Sequence, residues 1–237
     1  MRAILLAAGR GRRLGRDAPK CLVSIDGKTL LERHLVNLAE SGVTDLTIVV
    51  GFRREMIEEA LGALRPRLKV ELIHNPRFVH GSIVSLHAAA ERLAQGGLWM
   101  DADVLYPAAL LRRLVTSPHE NCLLVDASSD ETGEEMMVGV RAGRVLKIGR
   151  HVGRDWDVAG ETVGFAKVGP EGGRVMQRLL EEEVAAGRLD QEYEATMDRA
   201  FQEVPFGVER VDGLPWTEID FEEDIEKARQ LARAAQA

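Results

Sequence analysis

The segment Leu6-Ala7-Ala8-Gly9-Arg10-Gly11-Arg12-Arg13-Leu14-Gly15 combines small residues with three arginines. Glycine and alanine let backbone N–H groups come close to phosphate oxygens, and guanidinium forks add charge-assisted hydrogen bonds. Lys20, just after Pro19, supplies a further point charge. Among the first twenty residues Arg2, Arg10, Arg12, Arg13, Arg16 and Lys20 face a single acid, Asp17, in a chain whose formal charge is −7. A local positive pocket in an acidic protein suits a small polyanion such as a triphosphate. A general nucleic-acid binder would carry a net basic face instead. The glycines fall as G-x-G-x-x-x-G, which is not the dinucleotide fingerprint, and the loop lacks the Gly-Lys-Ser/Thr of a Walker motif.

Two acidic clusters complement this loop, Asp101-Ala102-Asp103 and Glu218-Ile219-Asp220. Hard cations such as Mg²⁺ prefer carboxylate oxygens and need only one or two of them beside substrate phosphates and water. Most acidic pairs are solvated surface. Asp101 and Asp103 differ in position, because they close an apolar strand, where doubly wound sheets bind ligands. Strand alternation points both to one side if the strand extends that far.

The elements that must hold these groups follow from periodicity. Ala3 to Leu6 and Leu46 to Val50 read as short buried strands, and Val70 to Ile73 and Leu98 to Met100 as further strands. Helical patterns at Thr29 to Ala39, Glu55 to Leu64 and Ser82 to Leu93 alternate with them, with Ser82 a candidate N-cap. That alternation predicts right-handed crossovers and a mostly parallel sheet flanked by helices, of Rossmann-like α/β class, with ligands at the carboxyl ends of the strands. After the strand Asn121 to Val125 the rhythm changes. Met136 to Val140 and Arg144 to Ile148 flank Ala142-Gly143 as a hairpin, Thr162 to Val168 follows as a strand, and helices are expected at Val175 to Ala186, Tyr193 to Gln202 and Glu222 to Ala235.

Composition narrows the function classes. No apolar run is long enough to span a bilayer, and arginines follow the first apolar stretch where a signal peptide would have them in front, so a soluble cytoplasmic protein is expected. Cys21 and Cys122 lack metal-ligand spacing and read as reduced thiols. The six histidines show no ligand spacing, and no Ser-His-Asp order or nucleophile elbow is present. Oligomeric state is not legible; a homodimer is the form to test.

Leu6-Ala7-Ala8-Gly9-x-Gly11-x-Arg13-Leu14 followed by Pro19-Lys20-x-Leu22-Val23 resembles the signature of the sugar-phosphate and choline-phosphate nucleotidyltransferases, NTP transferases that join an NTP to a phosphorylated small molecule and release pyrophosphate. The resemblance implies a glycosyltransferase-A-like fold in a single domain over residues 1–237. Within it, 1–127 would bind nucleotide, 128–205 would form the acceptor and hairpin-lid part, and 206–237 would carry a late metal motif and helix. It implies catalytic roles for Arg13, Lys20 and Asp103, and nucleotide contacts from Leu6, Ala7, Ala8, Gly9, Arg10, Gly11, Arg12 and Asp101. Ala102-Asp103-Val104-Leu105-Tyr106 stands where the family carries a Gly-Asp pair whose aspartate binds Mg²⁺, with Ala102 departing from the glycine. Trp216-x-Glu218-Ile219-Asp220 resembles the late motif of the choline-phosphate cytidylyltransferase branch, making Asp103, Glu218 and Asp220 the implied metal ligands, and Glu223 and Asp224 fit the acidic first turn of the last helix.

The connection His74-Asn75-Pro76-Arg77-Phe78 through Gly81-Ser82 faces the nucleobase in this family, so Asn75, Gly81 and Ser82 become base-contact candidates, although capping alone also explains Ser82. Arg150, in the hairpin where the family commonly has lysine, is a candidate for an acceptor phosphate, with Lys147 the alternative. Glu161, Tyr193 and Glu194, with Trp156, are candidates for the acceptor pocket; helix surface is the competing fate of Glu194. The favoured reaction joins CTP to a small phosphorylated or phosphonylated alcohol or amine. A sugar-1-phosphate uridylyl- or thymidylyltransferase is the runner-up, and molybdenum-cofactor guanylyltransferases share the loop. A non-catalytic nucleotide-binding regulatory subunit is the rival of another class, and a dinucleotide-dependent oxidoreductase is disfavoured by the glycine spacing.

Overall fold

Strands that are apolar toward both faces must be covered on both sides. The computed structural model, which describes residues 1–129 and 132–234, buries the strands Arg2–Ala7, Asp45–Val50 and Gly97–Asp101 in this way, while the edge strand Lys69–His74 stays half exposed. The first half contains β1 (Arg2–Ala7), β2 (Ser24–Ile25), β3 (Lys28–Thr29), α1 (Leu30–Glu40), β4 (Asp45–Val50), α2 (Arg54–Leu64) and β5 (Lys69–His74). Next come α3 (Ser82–Ala88), α4 (Ala90–Leu93), β6 (Gly97–Asp101), β7 (Val104–Leu105), α5 (Ala108–Thr116) and β8 (Cys122–Asp126). The second half holds β9 (Met137–Arg141), β10 (Arg144–Gly149), β11 (Val158–Val168), α6 (Pro170–Ala185), α7 (Glu194–Ala200), β12 (Gly207–Arg210), β13 (Thr217–Glu218) and α8 (Glu222–Ala234). The expected last residue of that helix, Ala235, lies outside the described residues.

The main sheet runs β10-β9-β11-β6-β1-β4-β5, with β8 pairing both β11 and β12. β1 lies parallel to β4 and β6, and β4 parallel to β5, as the helical crossovers require. β11 reverses direction against β6, β8 and β9, so the sheet is mixed, mostly parallel in its first half. Alternation sorts the side chains: Trp99 enters the core under α3, α4, α6 and α7, while Leu98 and Met100 enter the one under α1, α2 and α5. A third, smaller core joins Leu14, Val23, Ile25 and Leu30 to Leu105, Ile219 and the apolar stripe of α8. It is this core that ties the first loop to the distant late motif.

Local chemistry sets the boundaries. The Thr29 side chain accepts the Glu32 N–H at 3.1 Å and so caps α1, whose Leu30, Leu31, Leu35 and Leu38 are buried together with His34. The helix expected from Ser82 to Leu93 is broken at Ala89, and its N-cap is Gly81 rather than Ser82. Ser82 Oγ accepts the Tyr193 N–H at 2.9 Å instead, so a tertiary donor has displaced the local capping bond. α5 carried no expectation from sequence; Leu110, Leu111 and Leu114 place it on the sheet. Among the described residues, no helix is long and apolar enough to cross a membrane.

Candidate active site

A cleft of about 730 Å³ opens at the carboxyl ends of β1 and β6 and is lined from Leu6, Ala8 and Gly9 across to Glu161, Tyr193, Glu194 and Glu218. A smaller pocket of about 260 Å³ lies behind the loop, lined by Leu6, Ala7, Gly9, Gly11, Arg12, Arg13, Lys20, Ala102 and Asp103. After β1 the chain turns through Gly11 at φ +59°, a left-handed conformation open to glycine at little cost. A Cβ on Gly11 would stand 2.6 Å from Lys20 Cγ, so the missing side chain is also what lets the lysine stem pass. Arg10 is exposed and lies over the Phe52 ring, 5.4 Å from its centroid.

The acids converge by tertiary pairing. β6 ends at Asp101 and residues 102–103 turn, so Asp101 and Asp103 are not successive same-face positions of one strand, as alternation had suggested. β13 pairs antiparallel with β7, Glu218 opposite Val104, and Ile219 N–H donates to the Asp103 carbonyl at 2.9 Å. Ile219 is 0% exposed in the third core, which turns its two acidic neighbours toward the cleft. Carboxylate oxygens of Asp103, Glu218 and Asp220 all lie within 4.8 Å of one another. Asp224 accepts the N–H groups of Asp220 and Phe221 at 2.8 and 2.7 Å, fixing the entry to α8 and the position of Asp220. The four-residue spacing from Asp220 to Asp224 was the signal for that cap.

Basic groups of the loop meet this group directly. Lys20 Nζ donates to Asp103 at 2.8 Å and also to Asp220. Arg13 pairs with Asp220 at 2.8 Å and with Glu134 at 3.5 Å, and its guanidinium lies over the Phe221 ring, 5.2 Å from the centroid. Burial opposes the charge on Lys20, but Asp103 and Asp220 hold its pKa above the ordinary lysine range. Burial, reinforced by Asp103 and Asp220, pushes Glu218 well above the ordinary carboxylate range, although its side chain keeps contact with cleft solvent. Three hard oxygen donors, with no thiolate or imidazole among them and a cation already seated between two, are a donor set that fits a divalent metal.

Asp101 separates from this group. Tyr193 Oη donates to it at 2.7 Å, while burial, Asp103 and Glu194 push its carboxyl well up. Tyr193 is therefore 2% exposed and tied to Asp101 rather than presenting its ring to the cleft. Glu194 lines the cleft instead of the outer helix surface, and burial pushes it up to about 8, with Glu192 and Glu218 adding to the push. Of the base-contact candidates, Asn75 is 2% exposed; its amide donates to Ser85 Oγ at 3.1 Å and accepts the Arg77 N–H at 2.9 Å, so its side chain is committed within the loop. Gly81 and Ser82 do line the cleft, but both are packed against the 189–193 segment: Gly81 N–H donates to the Leu189 carbonyl at 2.9 Å, and Ser82 holds Tyr193.

The remaining acceptor candidates divide. Glu161 lines the cleft. Arg150 does too, donating to Glu192 at 2.8 Å and to the Glu134 carbonyl. Lys147 turns away to Asp198 at 2.8 Å. Trp156 packs on Gly139 under Arg141 and lies outside the cleft lining. Sequence had not indicated Trp216 as a support: its indole N–H donates to Asp126 at 2.8 Å and joins the late motif to the end of β8.

Residues 3–155 match the model of the MobA-like NTP transferase domain. The chain is 32% identical to the bifunctional IPC transferase and DIPP synthase of Thermococcus kodakarensis, over 97% of this chain and 50% of that protein, and so spans about half that relative's length. It is 30% identical to the choline-phosphate cytidylyltransferase of Streptococcus pneumoniae, over 62% of this chain and 67% of that one. The solved CTP:phosphocholine cytidylyltransferase of Streptococcus pneumoniae superimposes with a TM-score of 0.81 at 24% identity, covering 98% of both chains, a likeness of fold. The fold is the glycosyltransferase-A-like one of the nucleotidyltransferases. With the loop, the acids and the sheet in this arrangement, the chain belongs to the MobA-like NTP transferase domain family.

Proposed function

We propose that this protein is a Mg²⁺-dependent cytidylyltransferase that joins CTP to a small phosphorylated or phosphonylated alcohol or amine and releases pyrophosphate. The observation that carries the reading is the meeting of the Arg13 and Lys20 cations with Asp103, Glu218 and Asp220 at one end of a cleft large enough for two substrates. CTP is favoured over other nucleotides because the pneumococcal relative is named a choline-phosphate cytidylyltransferase.

In this scheme an acceptor phosphate or phosphonate oxygen forms a bond to the α-phosphorus as the bond to the β-phosphate bridge breaks, and pyrophosphate leaves with the electron pair. The attacking oxygen is already ionised near neutral pH, so no residue is needed as a general base. Backbone N–H groups around Ala8 to Gly11 cradle the phosphates, and Arg13 and Lys20 neutralise the charge that grows on the departing pyrophosphate. Asp103, Glu218 and Asp220 would hold Mg²⁺, which when bound supplies charge neutralisation and alignment at the α-phosphate. Arg150, one of the cations lining the cleft, would hold the acceptor's phosphoryl group. Holding both substrates in line removes the entropic cost of their encounter from the chemical step.

The test is pyrophosphate release with each of four NTPs crossed with sugar phosphates, phosphocholine, 2-aminoethylphosphonate and inositol phosphate, with and without Mg²⁺. Release is expected with CTP and a small acceptor, and only with the metal. Silence across the grid would sink the enzyme reading in favour of a binding subunit, and a preference for UTP or dTTP with sugar phosphates would replace the acceptor class.

A further inference from the structure

The three acids proposed to hold the metal stand on a piece of structure with little support of its own. β7 and β13 are two residues long each and, among the described residues, pair with each other rather than with the main sheet. A two-stranded ribbon that short is not stable alone. Asp103 precedes β7, Glu218 ends β13 and Asp220 follows it. Whatever anchors the ribbon therefore sets all three acids against the loop that carries Arg13 and Lys20.

One end of β7 is tied to β1, where Ala102 N–H donates to the Leu6 carbonyl at 3.2 Å. The other end is tied to α1 through Tyr106, the residue after β7. His34 Nδ1 lies 3.2 Å from Tyr106 Oη, and the Asn37 side-chain amide donates to the Tyr106 carbonyl at 3.3 Å. His34 and Asn37 are three residues apart on α1 and so share one face of it. The Tyr106 ring stands 5.2 Å from the His34 ring and edge-on to Phe165 at 4.8 Å between centroids, which fixes its plane. The Ala102 backbone is the other polar neighbour of the imidazole, so His34 stands behind both flanks of Asp103.

An imidazole at this depth is a poor choice for packing. His34 is 0% exposed on the face of α1 that buries Leu31, Leu35 and Leu38. A buried polar group costs free energy unless it is hydrogen-bonded. Replacing both members of such a pair by apolar groups of similar shape is close to neutral for stability. What the pair adds over two apolar side chains is direction, because a satisfied buried polar contact admits one arrangement where apolar contacts admit several.

We infer that His34 and Asn37 are positioning residues: they hold Tyr106, and through it the β7 and β13 ribbon, so that Asp103, Glu218 and Asp220 keep the geometry that binds the metal. The inference deepens the transferase reading given above, but binding of the metal tests it without turnover. The experiment is a Mn²⁺ titration of the protein with CTP and no acceptor, followed by electron paramagnetic resonance, beside the Mg²⁺ concentration for half-maximal pyrophosphate release. The main variant is His34→Leu combined with Tyr106→Phe, which removes both buried polar groups together.

This double variant should melt within about 4 °C of the parent. Its Kd for Mn²⁺ should rise about tenfold, the lower end of what losing an outer partner of a metal site costs, with the Mg²⁺ requirement rising in parallel. His34→Asn, whose amide sits near the Nδ1 position, should recover part of the loss. If the double variant does not fold, Asn37→Ala carries the test, since Asn37 is only half-buried. A folded variant whose Mn²⁺ affinity and Mg²⁺ requirement stay within about twofold of the parent would overturn the inference and leave the transferase reading standing, as would a fall in rate at parental metal affinity. A parent that binds Mn²⁺ but releases no pyrophosphate with any acceptor would sink the transferase reading alone, and a parent that binds no Mn²⁺ would sink both.

Discussion

Replacing Asp103 by Asn removes one negative charge at nearly constant shape, and the structure gives the scale of the loss. This carboxylate accepts Lys20 Nζ at 2.8 Å and is one of three whose oxygens lie within 4.8 Å of each other. Removing one preorganised electrostatic contact of this kind costs about 3–4 kcal/mol of transition-state stabilisation, a fall of roughly 10²–10³ in kcat. The fold should barely notice. Lys20 keeps Asp220 as a partner, and the upward push that Asp103 exerts on Asp101 and Glu218 is relieved. A stability change of about 1 kcal/mol corresponds to a Tm shift of about 2–4 °C in a domain of this size. The assay is steady-state pyrophosphate release at saturating CTP and acceptor, with a thermal melt of the same preparation. An Asp103→Asn protein that melts with the parent and turns over within about tenfold of it would refute the metal assignment and the electrostatic account of the rate.

Three further outcomes are expected. His34 is 0% exposed, and burial holds its pKa down to about 4, against 6.5 for an exposed histidine. Between those values the unfolded chain binds a proton that the folded one refuses, so this stabilisation is fully present above pH 6.5 and is lost as pH falls toward 4, by at most about 3 kcal/mol. Denaturant titrations of His34→Phe should show a lower stability near neutrality, since Tyr106 Oη loses its 3.2 Å partner, and a shallower loss on acidification than the parent; equal acid slopes would contradict it. Asp224→Ala removes the acceptor for two backbone N–H groups at the head of α8, which should cost about 1–2 kcal/mol and raise the Mg²⁺ concentration needed for half-maximal rate; an unchanged Mg²⁺ requirement would mean that Asp220 is not positioned this way. Gly11→Ala sets a Cβ against the Lys20 stem at φ +59°, costing about 1–2 kcal/mol. It should raise KM for CTP, and a parental KM would show that the loop does not depend on that glycine.

Much of the fold is legible in the sequence because helix and strand periodicity is a local property. β1, β4, β6, α1 and the β9–β10 hairpin fall where side-chain spacing puts them, within a residue or two. Where the structure gives these side chains other partners than the sequence suggested, the cause is nonlocal. Ser82 looks like a cap until Tyr193 supplies a competing donor, and Asn75 looks like a base contact until Ser85 and the Arg77 backbone take up its amide. Trp156, offered to the acceptor by its chemistry, is claimed by the Gly139 backbone and Arg141.

The sequence by itself determined that a small-residue, arginine-rich loop follows the first strand, that acids close the β6 strand, and that a second acidic pair flanks an isoleucine far downstream. Those are covalent neighbours, and their chemistry is fixed by type and spacing. Which acids meet was decided only in three dimensions. Asp103, Glu218 and Asp220 come together because β13 zips onto β7 and Ile219 is drawn into the core shared with Leu14 and α8. That same packing leaves Asp101 to Tyr193 and Glu194. Charge separated along the chain acquires a site only when burial of the apolar residues between fixes the distances, and the sequence pattern carries no measure of those distances.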